Sequence, residues 1–311
     1  LDQERIGGVK IDVAVLTNVG RDHLDYHRDL AHYAGAKHKL FKRPELMAGV
    51  FNRDDDHGRA WSHEYRGAEP GGYGSGGTIP ATGRYVLADH VALGAEGIEF
   101  EVRSSWGRAP LRSRLLGRFN VYNLLAALSA LLVKGVTLAD AVAALSASRT
   151  VPGRIEGFRG PKSEALVVVD YAHTPQALEQ ILKATRAHCS GRLTAVFGCG
   201  GDRDRGKRPL MGAAAAQHAD RVIVTDDNPR SETPAAIVAE ILAGMPQTGE
   251  LGGVLRVIHD RADAIRAAVS DAIAGDVVVV AGKGHETTQT YGAEVREFSD
   301  RVFVAELLGL E

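Results

Sequence analysis

Hydrophobic and polar residues alternate along the second half of the chain in a pattern that predicts strands and helices in turn. Short apolar runs rich in β-branched residues, such as residues 165–169 and 193–197, are each followed by a stretch with the 3.6-residue period of an amphipathic helix. Strands that are apolar on both faces are typical of a parallel sheet covered by helices. The pattern therefore predicts a Rossmann-like α/β domain. The predicted strands are residues 165–169, 193–197, 221–225, 254–258 and 276–280, and the predicted helices include residues 175–187, 208–218 and 234–242.

The first half of the chain has a less regular pattern. A strand is predicted at residues 13–17 and a helix at residues 30–42. Alternating apolar and polar positions between residues 84 and 115 predict the antiparallel strands of a small sheet. The preceding glycine-rich residues 71–77 predict a mobile loop. The helices expected next are residues 120–133 and 138–145.

A turn-forming segment separates the two patterns. The length of 311 residues is enough for about two domains. Val151-Pro152-Gly153-Arg154 combines the two residue types that most often interrupt helices and strands. We therefore predict one domain at residues 1–151 and a second at residues 152–311.

The composition restricts the partners and the compartment. With 37 basic and 39 acidic residues, the chain lacks the basic excess of proteins that bind nucleic-acid backbones. Cys189 and Cys199 are too few for a disulfide framework and are not spaced as zinc ligands, which fits a reducing compartment. No apolar run approaches the roughly 20 residues that span a membrane, and no signal-peptide pattern opens the chain. We expect a cytoplasmic protein that binds small ligands, without nucleic acid and without membrane insertion.

Polar, glycine-rich or charged residues follow all five predicted strands of the second half. Ligands of parallel sheets bind beyond the carboxyl ends of the strands, where these segments would meet. Loop polarity and glycine turns alone would explain any one of them, but their coincidence at one edge favours a ligand site. The segments are residues 170–173, 198–203, 226–230, 259–261 and 282–286.

Two of these segments have recognisable chemistry. Residues 201–208 come close to a phosphate-binding P-loop, but Arg208 stands where a Ser or Thr hydroxyl is required, so we reject that interpretation. The basic residues of this segment remain candidates for a carboxylate or phosphate clamp. Asp227-Asn228-Pro229-Arg230 combines groups that can hold an ammonium with a guanidinium suited to a carboxylate, as an amino acid would require. A proline turn that happens to include an arginine would explain the same four residues.

A third polar segment, residues 17–27, follows the first predicted strand. Its Asp and His side chains are suited to a divalent cation, and a helix cap with solvated charges is the alternative.

Six of these segments, in order along the chain, resemble the Mur ligase family. The resemblance implies that the first half of the chain is the remaining part of a parallel-sheet ATPase domain with a small antiparallel sheet. It implies that the second half is a Rossmann-like domain that binds the incoming amino acid. It also implies ATP-dependent ligation of meso-diaminopimelate to UDP-N-acetylmuramoyl-L-alanyl-D-glutamate in peptidoglycan synthesis, through an acyl phosphate and with Mg²⁺, by a monomer. Asp227-Asn228-Pro229-Arg230 matches the family members that add meso-diaminopimelate rather than lysine. The matching segments are residues 18–25, 153–156, 170–175, 198–209, 226–230 and 281–286.

The resemblance also assigns roles to individual residues. His23 and Lys37 match catalytic metal-binding positions, Lys37 as a carbamate, which converts a cation into a metal-binding anion. Gln3 and Arg5 match contacts to the UDP-muramoyl substrate. The positions that match nucleotide contacts are Asn123, Arg154 and Asp170. The positions that match diaminopimelate contacts are Arg203, Asp227, Asn228, Pro229, Arg230, Gly282 and Glu286.

The resemblance places the family's uridine-binding domain, its P-loop and a magnesium-ligating glutamate before Leu1. We therefore expect the 311-residue chain alone to bind diaminopimelate weakly and not to hydrolyse ATP effectively. A lysine-adding Mur ligase and a folylpolyglutamate synthase-like ligase share the implied fold and chemistry. A dinucleotide-dependent oxidoreductase and a non-catalytic ligand-binding module remain as alternatives of other classes.

Overall fold

The computed structural model describes residues 8–20, 28–67, 69–79, 83–246 and 254–310, and the chain divides into two compact units. The first unit comprises Leu1–Ala92, Ile98–Ser113 and Arg118–Ser148. The second comprises Leu93–Gly97, Arg114–Gly117 and Arg149–Glu311.

The first unit is built on one six-stranded sheet, ordered β1 to β6 as in the chain. Strands β1 to β4 are parallel, and β5 and β6 continue the sheet as an antiparallel pair. The alternation that predicted these last strands is seen in their burial, since Ile98, Phe100 and Val102 are at most 2% exposed. The elements are β1 Val13–Leu16, α1 Leu30–His38, a 3-10 helix Lys39–Lys42, β2 Ala48–Asn52, α2 Asp56–Glu64, β3 Glu69–Ser75, β4 Arg84–Gly94, β5 Gly97–Ser104, β6 Gly107–Ser113, α3 Phe119–Val133 and α4 Leu138–Ser146.

The prediction of a mobile loop at residues 71–77 is wrong, because most of this segment is strand β3, which lies between β2 and β4. Tyr73 is 0% exposed and its hydroxyl donates to the carbonyl oxygen of Leu16 at 3.0 Å. A Cβ atom on Gly74 would lie 3.2 Å from the carboxylate of Asp54. The glycines therefore allow close packing beside a buried strand.

The predicted helix at residues 30–42 forms with a change of geometry. Its N-terminus is capped by Asp29, whose carboxylate accepts from the backbone N–H of His32 at 2.9 Å. The α-helix ends at His38 and its last turn is a 3-10 turn, a common way for a helix to finish.

The second unit confirms the predicted α/β alternation. Its main sheet has the order β11-β10-β9-β12-β8-β7, with β7 alone antiparallel to its neighbour. Val277 and Val279 pack into one apolar cluster and Val278 and Val280 into another, so the central strand is buried on both faces. The elements are β7 Glu156–Gly160, β8 Ser163–Asp170, α5 Pro175–Arg186, β9 Leu193–Phe197, α6 Lys207–His218, β10 Arg221–Val224, α7 Pro234–Leu242, β11 Val254–Val257, α8 Arg261–Ser270, β12 Val277–Ala281, β13 Thr288–Tyr291, β14 Glu294–Glu297 and α9 Asp300–Leu308.

Four elements of this unit lie outside the sequence prediction: strand β7, the hairpin strands β13 and β14, and helix α9. The five parallel strands bring the segments after β8, β9, β10, β11 and β12 to one edge of the sheet, as predicted. Within the part of the chain that the structure describes, none of the helices combines the length and apolar character needed to cross a bilayer.

Candidate functional site

The loop after β10, residues 226–230, is held along its length by strand β13. The backbone N–H of Arg230 donates to the carbonyl oxygen of Thr290 at 2.9 Å, and that of Gly292 donates to the carbonyl oxygen of Arg230 at 2.6 Å. The side-chain oxygen of Asn228 accepts from the backbone N–H of Thr290 at 3.1 Å. The loop is therefore fixed by main-chain geometry on one side.

Two side chains strengthen this attachment. The amide of Gln289, which is 6% exposed, donates to the carbonyl oxygens of Asp226 and Asp227 at 3.3 and 2.9 Å. The carboxylate of Asp226 contacts the Tyr291 hydroxyl at 3.2 Å and Nδ1 of His259 at 2.8 Å. Burial and the Asp226 charge raise the pKa of Tyr291 to about 12, so the phenol stays a hydrogen-bond donor near neutral pH. The hairpin that sequence reasoning missed thus supports the site, and the sequence signal for it is the threonine- and tyrosine-containing run at residues 287–291 followed by Gly292.

Asp227 is a buried carboxylate without a hydrogen-bond partner among the described residues, at 9% exposure. It lies against Gly282, whose φ of +118° and missing side chain permit this approach. A Cβ atom at Gly282 would lie 2.7 Å from the Asp227 carboxylate. The Arg261 guanidinium interacts with the Asp227 charge without a hydrogen bond to it, so both carboxylate oxygens can still accept from a cationic ligand group.

Arg230 is the arginine of the same loop. Its backbone φ is +52°, a left-handed conformation that is unfavourable for a residue with a long side chain. The guanidinium donates to the carbonyl oxygen of Gly201 at 2.7 Å and forms no ion pair with a carboxylate of the described residues. The arginine is half-buried, so most of its donors remain available to an anion.

Glu286 is held at one of its two oxygens. The fully buried ammonium group of Lys283 lies 3.1 Å from Oε2 of Glu286, and Nδ2 of Asn228 donates to the same oxygen at 3.1 Å. The Glu286 side chain is 35% exposed. The carboxylate is therefore held through Oε2, and Oε1 has no hydrogen-bond partner in the described ranges.

The hypothesis of an anion clamp at residues 201–208 is wrong for Arg208. This side chain is 0% exposed and donates to both oxygens of Glu232 at 2.7 and 2.8 Å and to Glu240 at 2.8 Å. The guanidinium lowers the pKa of Glu232 to about 2, and the glutamates raise the pKa of Arg208 above its ordinary range. Arg208 is neutralised by its own chain.

The other basic residues of this segment differ among themselves. Arg205 pairs with Glu240, and Lys207 donates to the carbonyl oxygen of His173 at 2.6 Å. Arg203 is exposed and contacts only the carbonyl oxygen of Asp202, at 3.3 Å, within the described residues. Of the three arginines, only Arg203 remains available to a ligand.

The predicted nucleotide residues of the second unit are Arg154 and Asp170. Asp170 accepts from the backbone N–H groups of Ile155 and Ala172, both at 2.8 Å, so each of its oxygens has a partner. Burial raises the pKa of Asp170, against the opposing effect of these hydrogen bonds and of the Arg154 charge. The guanidinium of Arg154 lies 4.7 Å from the ring centroid of Tyr171.

Of the residues predicted to be functional in the first unit, the structure describes Asn123 and Lys37. Asn123 is exposed on α3 and donates to Asn120 at 2.8 Å. Nζ of Lys37 lies 3.2 Å from the carbonyl oxygen of Asn18 and 4.5 Å from the ring centroid of Tyr33. In the described ranges no three His, Cys, Asp or Glu side chains are grouped to hold a metal ion. The predicted residues outside the described ranges are Gln3, Arg5 and His23.

Two family models match the chain. The Mur ligase middle domain matches residues 1–131, and the Mur ligase glutamate ligase domain matches residues 153–284. The two matches together take in most of the sequence. The chain belongs to the Mur ligase family.

Three of the similar proteins have the name UDP-N-acetylmuramoyl-L-alanyl-D-glutamate--2,6-diaminopimelate ligase. The protein of that name from Alkalilimnicola ehrlichii is 50% identical over all of this chain and 61% of its own length. The one from Coxiella burnetii is 46% identical over 96% of this chain and 60% of its own length. A solved structure of such a ligase is 42% identical, with a TM-score of 0.79, over 99% of this chain and 62% of that one. The chain thus spans about three fifths of the length of these relatives.

Proposed function

We propose that the chain is the greater part of a ligase that joins meso-diaminopimelate to UDP-N-acetylmuramoyl-L-alanyl-D-glutamate at the expense of ATP, in peptidoglycan synthesis. The names of the relatives support the reaction, and the strand-edge site of the second unit supports the choice of amino acid. In this proposal residues 1–151 belong to the ATP-binding domain and residues 152–311 bind the incoming amino acid.

The proposal depends on two carboxylates and two guanidinium groups at the strand edge that can still bind a ligand. Asp227 is a buried carboxylate with no hydrogen-bond partner in the described residues, and Oε1 of Glu286 likewise has none. Arg230 and Arg203 are guanidinium groups that form no ion pair or hydrogen bond with a carboxylate in the same ranges. Diaminopimelate has two ammonium and two carboxylate groups, so it complements both signs. Lysine lacks the second carboxylate and would leave one guanidinium unsatisfied.

In the proposed reaction the γ-phosphoryl group of ATP passes to the glutamyl carboxylate and forms an acyl phosphate. The neutral amine of diaminopimelate attacks the acyl carbon, phosphate leaves, and the nitrogen loses a proton as the amide forms. Asp227 and Glu286 would orient the amino acid through its ammonium groups, and the arginines through its carboxylates. Binding that fixes both ends of the amino acid places one amine for attack.

The proposal also covers ATP, the UDP-muramoyl substrate and Mg²⁺. We propose that Asn123, Arg154 and Asp170 contact ATP, and that Gln3 and Arg5 contact the UDP-muramoyl substrate. The amino group of Lys37 as it stands is a cation and repels Mg²⁺, so the described residues by themselves do not supply a magnesium site. We propose that a carbamate on Lys37, together with His23, would hold Mg²⁺, and no step above depends on this site.

The compartment and assembly are part of the same proposal, a monomer in the cytoplasm. Cys189 and Cys199 are free thiols, which supports a reducing environment. The nearly balanced charge supports small-molecule partners and no nucleic acid.

Calorimetric titration of the 311-residue chain with meso-diaminopimelate, L-lysine and NAD tests the amino-acid assignment. We expect weak binding of diaminopimelate only. Binding of lysine with equal affinity would indicate a lysine-adding ligase, and binding of NAD alone would indicate an oxidoreductase. For the reaction itself, the protein isolated from its natural source should release phosphate from ATP only when the UDP-muramoyl dipeptide and diaminopimelate are both present.

A further inference from the structure

Lys283 is a buried cation to which the proposed function assigns no role. It follows strand β12 and its side chain is 0% exposed. Its Nζ donates to the carbonyl oxygen of Thr288 at 2.5 Å and to Oε2 of Glu286 at 3.1 Å, and it lies 3.5 Å from Oδ1 of Asn228. An ammonium group has three donors, and here each has an acceptor. Because a buried ammonium is costly unless it is paired, this arrangement favours one placement of all three acceptors.

Two of these acceptors belong to the side chains that face the proposed amino acid. Oε2 of Glu286 accepts hydrogen bonds from Nζ of Lys283 and from Nδ2 of Asn228. Oε1 has no hydrogen-bond partner among the described residues. Oδ1 of Asn228 accepts hydrogen bonds from Nζ of Lys283 and from the backbone N–H of Thr290. The Asn228 oxygen is therefore occupied within the protein. Glu286 and Asp227 are left as the groups that can receive an ammonium.

We infer that Lys283 is a positioning residue for the amine of the incoming amino acid: it holds one oxygen of Glu286 against Asn228 so that the other oxygen faces the ligand. The inference rests on the proposed function. Lys283 is fully buried and touches no ligand; it acts through Glu286. Without it, Glu286 loses its cation, and since this side chain is 35% exposed it can turn towards water. The binding site would then lose its shape while the fold is kept.

The test uses binding to the 311-residue chain. Lys283→Met keeps the length of the side chain and removes the charge. We expect about tenfold weaker binding of meso-diaminopimelate by calorimetry, the size of a coupling between contacting residues. Lys283→Gln is a second variant that keeps an N–H donor, and it replaces Lys283→Met in the test if that variant does not fold. Circular dichroism shows whether each variant is folded. Lys183→Met is the matched control, because Lys183 is an exposed lysine whose partner is Glu179 on the same helix, and its affinity should be unchanged.

A double-variant cycle separates positioning from general structural support. Glu286→Gln alone should weaken binding, and adding Lys283→Met to it should weaken binding no further, because the group that Lys283 positions has lost its charge. Fully additive losses would overturn the inference. So would unchanged affinity in folded Lys283→Met and Lys283→Gln, and in that case the proposed function stands. Absence of diaminopimelate binding by the unsubstituted chain would overturn both.

Discussion

The second unit contains two kinds of arginine in segments that look alike in sequence. Arg208 and Arg261 are buried, and each forms two hydrogen bonds to a carboxylate, Glu232 and Asp300 respectively. Among the described residues, the hydrogen bonds of Arg203 and Arg230 go only to backbone carbonyl oxygens, and neither arginine forms an ion pair. The first kind stabilises the loops, and the second leaves charge for a ligand. Whether an arginine is paired within the chain, rather than whether it stands in a strand-edge motif, separates a structural role from a binding role.

Breaking a buried pair should produce the largest effect on stability. Arg261 and Asp300 are both 0% exposed. Arg261→Met leaves Asp300 as an uncompensated buried charge, which should lower the free energy of unfolding by about 3–5 kcal/mol. Chemical denaturation measures this change. Arg266→Met on the same helix removes an exposed pair with Asp263 and should change stability by less than about 1 kcal/mol. Equal effects of the two substitutions would remove the distinction between buried and exposed pairs.

Removing an unpaired arginine should instead affect binding. Arg230→Ala should weaken diaminopimelate binding about 100-fold, or roughly 2.7 kcal/mol, because one carboxylate loses a charged hydrogen-bond partner. The KM for ATP in the protein from its natural source should stay unchanged. Arg256→Ala, which removes an exposed arginine paired with Asp271, is the control. Equal losses for diaminopimelate and ATP would count against the assignment of Arg230.

The backbone of Arg230 offers a finer test of the same contrast. Since its φ is +52°, glycine is more favourable than alanine at this position. Arg230→Gly should be more stable than Arg230→Ala by about 1 kcal/mol, while both lose diaminopimelate binding to the same degree. Thermal unfolding of the two variants measures the difference. If alanine is the more stable replacement, the left-handed conformation at this position is not retained in solution.

The pair of Arg208 and Glu232 predicts the smallest effect, a dependence of stability on pH. The folded protein holds the pKa of Glu232 at about 2, below the ordinary value of 4.5. The stabilisation is therefore present above pH 4.5 and is lost as the pH falls towards 2. In Glu232→Gln the free energy of unfolding should decline less steeply across this window. Glu306→Gln, at an exposed position of α9, should keep the original slope.

Local pattern was sufficient for most of the elements that position the site. Runs such as residues 193–197 are apolar except at Thr194 because both faces of the sheet are covered, and this property can be read without knowing the neighbours. The same reasoning failed at residues 71–77, where glycines accompany close packing in strand β3. It also missed the hairpin β13–β14, whose strands of four residues each are too short for a periodic signal.

The sequence by itself determined that five polar segments meet at the carboxyl edge of a parallel sheet, because alternating strands and helices allow few other arrangements. Only the tertiary structure decided which of their charges remain unpaired. Arg208 meets Glu232 across 24 positions and Arg261 meets Asp300 across 39, separations that no local pattern encodes. The attachment of Asn228 to Lys283 and Thr290 spans 55 and 62 positions. Ion pairs of this kind depend on which loops the sheet brings together, so the fold was needed to show which of the predicted site residues are held by their own chain and which can still bind a ligand.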